Sequence, residues 1–152
     1  MTSPSPRREL AFLLYDVGRL LRTLADQRVR ALDMTRAQWA VLAALERGEN
    51  VKQSELADIL EIRPITLTRL VDRLCANGLV ERRADPDDRR ANRLFLTPAG
   101  RPLVQRLAGL GEDLMAEVLV GIDESTVALM LTQLNLAKDN LRNALPSGSQ
   151  AG

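Results

Sequence analysis

A mainly α-helical fold with one small β element is what this sequence predicts, and three observations carry the prediction. Leucines recur at helical spacing near both ends of the chain, from Leu10 to Leu24 and from Leu103 to Leu114. Between them lie two short amphipathic segments broken at Pro64. After these come two strand-like runs, 79–83 and 93–97, joined by the charged nine-residue tip ADPDDRRAN.

Composition narrows the function classes. A chain of 152 residues suits one domain of modest core. It has no histidine and one cysteine, which excludes histidine-dependent catalysis, disulfides within the chain and Cys/His zinc sites. No glycine-rich phosphate loop occurs, and no carboxylate pair sits in an apolar setting that would tune it. An enzyme is therefore not expected, nor is a cofactor. The net charge of +1 argues against a general polyanion binder. Its distribution is uneven: residues 61–93 hold eight Arg against six acids, and residues 94–152 hold four Lys/Arg against six. MTSPSPRR lacks the apolar centre of a signal peptide, and no apolar run reaches the roughly 20 residues of a membrane span. The expected location is cytoplasmic, with no membrane partner.

Taken in order, residues 1–8 read as a disordered lead-in. A helix is predicted over 9–31, within an N-terminal segment 9–34. Its stripe of Leu10, Leu13, Leu14, Val17, Leu20, Leu21 and Leu24 is wider than one packing partner requires. Thr35 and Gln38 form a capping box for the next helix, with Met34 and Trp39 as a hydrophobic staple. That helix stops at Gly48, and residues 48–52 suit a short strand beside the later pair.

Ser54 suits the N-cap of a third helix with an apolar side of Leu56, Ala57, Ile59 and Leu60. Pro64 bends the chain and opens a fourth helix, 64–77, which buries Leu67, Leu70, Val71 and Leu74. Asn77-Gly78 supplies its left-handed stop. The opposite face carries Thr66, Arg69 and Arg73, with Ile65 and Thr68 near its leading end. Two short helices with a polar outer face on the second form a helix-turn-helix pattern. The strand–tip–strand unit 79–97 then reads as a wing, its turn set by Asp85-Pro86-Asp87. Arg89 and Arg90 on the tip suit a narrow minor groove, and Asp88 suits a brace for one of their guanidinium groups. Surface solubilisation is the plainer account of such arginines; the helix-turn-helix beside the wing favours the DNA reading.

Past the wing, Thr97-Pro98 starts a helix whose Leu103, Leu107, Leu110 and Leu114 make a coiled-coil-like seam, with Gly109 and Gly111 permitting close approach or a bend. Ile122-Asp123 caps a last helix striped by Val127, Met130, Leu131, Leu134, Ala137, Leu141 and Leu145. Residues 98–145 thus form C-terminal helices and 146–152 a flexible tail. One winged core, 35–97, cannot cover so many apolar stripes, so the flanking helices are expected to interlock two copies into a homodimer. Paired recognition helices would then read a palindromic operator in double-stranded DNA.

ITLTRLVDRL followed by GLVERRADPDDRRANRLFLTPAG resembles the winged segment of the MarR family, the multiple-antibiotic-resistance regulators of bacteria. Thr66, Thr68, Arg69, Asp72 and Leu74 match the family's helix signature T-x-T-R-x-x-D-x-L. Asp87 to Arg90, then Leu96, Thr97 and Gly100, match its wing signature D-x-R-R followed by L-T-x-x-G. The resemblance extends from about Glu9 to Leu145, and TRAQWAVLAALER is most similar to SlyA-type members. Glu61 departs from the glycine often found in the turn. The resemblance implies a dimeric winged helix-turn-helix regulator, by default a repressor. It also implies DNA contacts through Arg63, Ile65, Thr66, Thr68, Arg69, Arg73, Asp88, Arg89 and Arg90.

Relatives often release DNA on binding a small aromatic carboxylate or phenol beside the dimer helices. Tyr15, Arg19, Arg22 and Trp39 are the residues here that suit such an effector, although core packing of Trp39 is the simpler reading. Thiol-based redox sensing through Cys75 is an alternative, opposed by the lack of a resolving cysteine. A winged-helix protein–protein module is another; it calls for an apolar or acidic recognition face and a wing without arginine.

Overall fold

The computed structural model describes residues 5–146. Its elements run α1 (Pro6–Arg30), α2 (Arg36–Arg47), β1 (Val51–Lys52), α3 (Gln53–Ile59), α4 (Pro64–Ala76), β2 (Val80–Ala84), β3 (Asn92–Leu96), α5 (Gly100–Val118) and α6 (Glu124–Ala144). The strands form one antiparallel sheet in the order β1-β3-β2, with Val51 opposite Leu94 and Val80 opposite Leu96. The mainly helical class and the small wing sheet are as the sequence predicts. The chain parts within α5, after Leu114, into two compact units.

The first unit is built on α2, α3, α4, the sheet and the start of α5. Val41, Leu42, Leu45, Leu56, Leu67, Val71, Leu74, Leu94 and Leu107 are each at most 1% exposed. Each comes from the apolar side of its element, so helix and strand periodicity converge on one core. Leu70 is only half-buried, and Ile59 stands 64% exposed, outside the buried side expected of α3. Leu103 and Leu110, read as part of a coiled-coil seam, instead pack on this core beside Leu107. A Cβ on Gly111 would come within 3.3 Å of Trp39 Cζ2, so this glycine permits the close approach expected of it.

Capping explains most element boundaries. Thr35 and Gln38 exchange both bonds of the predicted box, at 3.1 and 3.0 Å. Ser54 does not cap α3. The helix starts earlier, and the Glu55 carboxylate accepts the Lys52 N–H at 3.1 Å. The N-terminal helix starts at Pro6, inside the stretch read as lead-in, because proline at the first helical position leaves no amide unpaired. The rest of that lead-in, residues 1–4, lies outside the described residues, as do tail residues 147–152. Pro98 likewise precedes α5 rather than opening it; Thr97 Oγ1 accepts the Gly100 N–H at 3.0 Å.

The two turns flanking α4 share one geometry. After α3, Ile62 N–H donates to Ala57 O and Glu61 N–H to Asp58 O, both at 3.1 Å. After α4, Leu79 donates to Leu74 O and Gly78 to Cys75 O. Both are Schellman closures, which need a left-handed residue after the cap. Gly78 takes φ 71° without strain, with Asn77 remaining right-handed. Glu61 takes φ 53°, so the turn keeps the glycine conformation although the residue departs from it.

Buried charge sets the wing's register. Asp85 is 3% exposed. Its carboxylate accepts the Asp87 N–H at 2.8 Å and Arg93 Nε at 2.7 Å, with Lys52 Nζ at 3.8 Å. Arg93 also donates to Asn50 O at 2.7 Å, so one carboxylate ties the tip to β3 and β1. The Asp87 amide, then Arg93 and Lys52, hold the Asp85 carboxyl below its ordinary pKa despite burial. Glu49 accepts from Arg101 at 2.9 Å and from Leu96 N–H at 2.7 Å. Partial burial pushes its pKa up, but these bonds outweigh it and the net shift is down.

In the second unit, Asp123 caps α6 by accepting the Thr126 N–H at 3.3 Å, and Ile122 and Val127 line one apolar hollow. No residue of α6 is buried. Leu131, Leu141 and Leu145 are each at least 60% exposed, and in α1 Leu10, Leu13 and Leu20 are each more than half exposed. Both helices leave their apolar stripes uncovered in a single copy.

Two outcomes follow from these contacts. A Cβ at Gly100 would lie 2.2 Å from the Leu79 carbonyl oxygen, a backbone atom that cannot rotate away. Urea unfolding of Gly100→Ala is expected to show a loss of about 1–3 kcal/mol; unchanged stability contradicts the close approach. Asp85 and Glu49 have folded-state pKa values below their unfolded ones, about 3.9 and 4.3. Their contributions are fully present above those unfolded values and are lost as pH falls through the depressed folded ones. Asp85→Asn should therefore be less stable at pH 7 and lose less on acidification below about pH 4; parallel pH–stability curves for the two proteins would remove Asp85 as the anchor.

Candidate nucleic-acid interface

The outer face of α4 is the centre of the candidate site. Pro64 opens the helix after the extended N-cap Arg63, which is exposed. Ile65 follows at 59% exposure, and Thr66, Arg69 and Arg73 are exposed along the helix. The carboxylate nearest them in sequence, Asp72, pairs with Arg82 at 2.7 Å. Arg69 and Arg73 make no ion pair among the described residues. Two guanidinium groups therefore stand in solvent with their charge uncompensated locally.

Arg82 is the residue that reading the sequence missed. Its Nε donates to Gln53 Oε1 at 3.1 Å, and its Nη2 approaches the Thr68 carbonyl at 3.4 Å besides holding Asp72. Gln53 Nε2 in turn donates to Thr68 Oγ1 at 3.0 Å, and Thr68 Oγ1 donates to Pro64 O at 2.9 Å. One guanidinium thus links β2, α3 and α4. Thr68, taken from the sequence as a DNA contact, is half-buried with its hydroxyl engaged on both sides. The signal for Arg82 was its place two residues after Val80, on the inward side of a strand with period 2.

The wing tip presents Arg89 and Arg90, both exposed and without an ion pair among the described residues. The expected brace from Asp88 takes another form. Asp88 Oδ1 accepts the backbone N–H of Arg90 at 3.0 Å, and Asp88 O accepts the Ala91 N–H at 3.0 Å. Asp88 shapes the tip as an Asx turn and leaves both guanidinium groups unneutralised. On β2, Arg83 lies 4.0 Å from the Phe95 ring centroid and pairs with Glu81.

The four residues suggested for an effector divide. Arg22 and Trp39 line one hollow with Leu21, Ala25 and Arg36. Tyr15 and Arg19 do not reach it: Tyr15 is 70% exposed, and Arg19 pairs with Asp16 at 3.6 Å one helical turn away. Cys75 is half-buried, and burial pushes its thiol pKa up, with Arg82 pulling down and Asp72 pushing up. That is opposite to the shift a reactive thiolate needs. Among the described residues no His/Cys/Asp/Glu group could hold a metal ion, and no helix is long and apolar enough to cross a membrane.

Known proteins share this fold. A family model described as MarR family matches residues 32–91, from the end of the α1 segment through the wing tip. The solved structure of transcriptional regulator PA3341 is 36% identical, with 88% of this chain and 98% of that chain covered at a TM-score of 0.78. Wild-type MarR from E. coli, in its apo form, is 28% identical over 90% of this chain and 98% of its own, at a TM-score of 0.74. A mutant E. coli MarR complexed with operator DNA is 29% identical over 85% and 93%, at 0.75. With that fold, that identity and that coverage, the chain belongs to the MarR family of transcriptional regulators.

Proposed function

We propose that this chain regulates transcription in the cytoplasm as a homodimer that binds a palindromic operator in double-stranded DNA, as a SlyA-like repressor released by a small aromatic effector. The observation that carries the DNA reading is the exposed Arg69–Arg73 face of α4, with Asp72 drawn off by Arg82. A protein–protein module would instead present an apolar or acidic face. That a related E. coli MarR was crystallised with operator DNA supports the same reading.

In this mechanism α4 enters the major groove. Arg69 reaches base edges, a guanine O6/N7 pair being the best match for its fork. Thr66 and Arg63 meet nearby bases or phosphates, and Arg73, a turn further on, meets the backbone. Arg89 and Arg90 extend into the flanking minor groove, where negative potential is concentrated. Thr68, Asp88 and Arg82 hold this surface in shape. Two copies are required because one helix reads only a few base pairs. The uncovered stripes of α1 and α6 supply the apolar area that a stable pairing needs. The Arg22–Trp39 hollow offers an aromatic wall and a cation for an effector carboxylate.

Three measurements bear on these parts. In gel-shift titrations, Arg69→Ala should cost about 1–3 kcal/mol and relax base preference, while Arg90→Ala should reduce the salt slope by about one. Unaltered titrations for both would reject the interface. Light scattering after size exclusion should return a dimer at micromolar concentration, and a stable monomer would remove the two-fold part. Salicylate should quench Trp39 and release DNA; indifference to a panel of aromatic acids counts against the effector site.

A further inference from the structure

None of the contacts described above engages the Ile65 side chain, which the family resemblance places among the DNA-contacting residues. It is the second residue of α4, 59% exposed, on the face that carries Arg69 one turn later. Its neighbours show what this position could have held. Thr68 and Gln53 are bound into the Arg82 network, and Thr66 is an exposed hydrogen-bonding residue. Ile65 alone in this turn offers a solvent-facing branched hydrocarbon with no donor or acceptor. In a helix-turn-helix, the N-terminal turn of the second helix lies against base edges. The major groove displays donors, acceptors and a single apolar group, the C5-methyl of thymine. A hydrocarbon pressed on any other base edge would desolvate polar atoms and return no hydrogen bond, which selects against those bases.

We infer that Ile65 is a specificity-determining residue that reads a thymine methyl group in each half-site. The inference rests on the DNA-binding reading above and deepens it. Four residues of helix rise about 6 Å between Ile65 and Arg69, and base pairs stack about 3.4 Å apart. The thymine therefore lies within about two base-pair steps of the guanine met by Arg69. Burying one methyl-sized group is worth roughly a fourfold change in affinity for each half-site.

The test uses the full chain and duplexes selected from a random library. Each thymine of the enriched site is replaced in turn by deoxyuridine, which removes the methyl and keeps every hydrogen-bonding atom. Wild type should lose about fourfold in affinity at one position per half-site, and Ile65→Ser should bind the thymine and uracil duplexes alike. Equal binding of both duplexes by wild type overturns this assignment while leaving DNA binding intact. So does an Ile65→Ser protein that still discriminates. Failure to enrich any duplex overturns the DNA-binding reading, and this assignment with it.

Discussion

The Arg82–Asp72 ion pair is the contact on which the presented surface depends. At 2.7 Å, with Arg82 mostly buried and Asp72 mostly exposed, it is strong by virtue of its company. The same guanidinium bonds Gln53 and approaches the Thr68 carbonyl, so α3, α4 and β2 cannot shift independently. It also decides the charge of the helix. Asp72 lies three residues after Arg69 and one before Arg73. Left free it would neutralise the face that DNA is proposed to meet; held by Arg82, it faces the sheet. Two acids of the wing are engaged as well, Asp85 on Arg93 and the Asp88 carboxylate on the Arg90 backbone N–H. Arg69, Arg73, Arg89 and Arg90 thereby stay exposed while Asp72, Asp85 and Asp88 are held in structural contacts.

The fold was legible because its signals are local. Thr35 and Gln38 form a box three residues apart, Pro64 opens α4, Gly78 closes it, and the Asp85–Asp87 turn needs nothing beyond itself. What escaped were contacts between residues distant in sequence. Arg82 meets Gln53 across 29 positions and Arg93 meets Asn50 across 43. The same limit hides the second partner of Thr68, whose hydroxyl is on the outer side by helix periodicity and is also bound by a side chain of the preceding helix. Asp88 meets the Arg90 amide rather than a guanidinium, because a backbone amide two residues on competes with a mobile side chain and is already in place. Tyr15 and Arg19 were grouped with Trp39 by residue type alone, and α1 places them short of the hollow.

The apolar faces of α1 and α6 impose the other constraint. A helix that leaves its leucines in water loses most of the stabilisation that tertiary packing supplies. The proposed second copy would cover the long stripes at both ends of the chain, and a palindromic site would call for the same pairing.

Methylation interference on an operator duplex reads both proposed groove contacts at once, since dimethyl sulfate marks guanine N7 in the major groove and adenine N3 in the minor. Two centres of guanine interference about one helical turn apart are expected, each flanked by adenine interference where the wing lies. A single guanine centre, or interference confined to adenines, would contradict it.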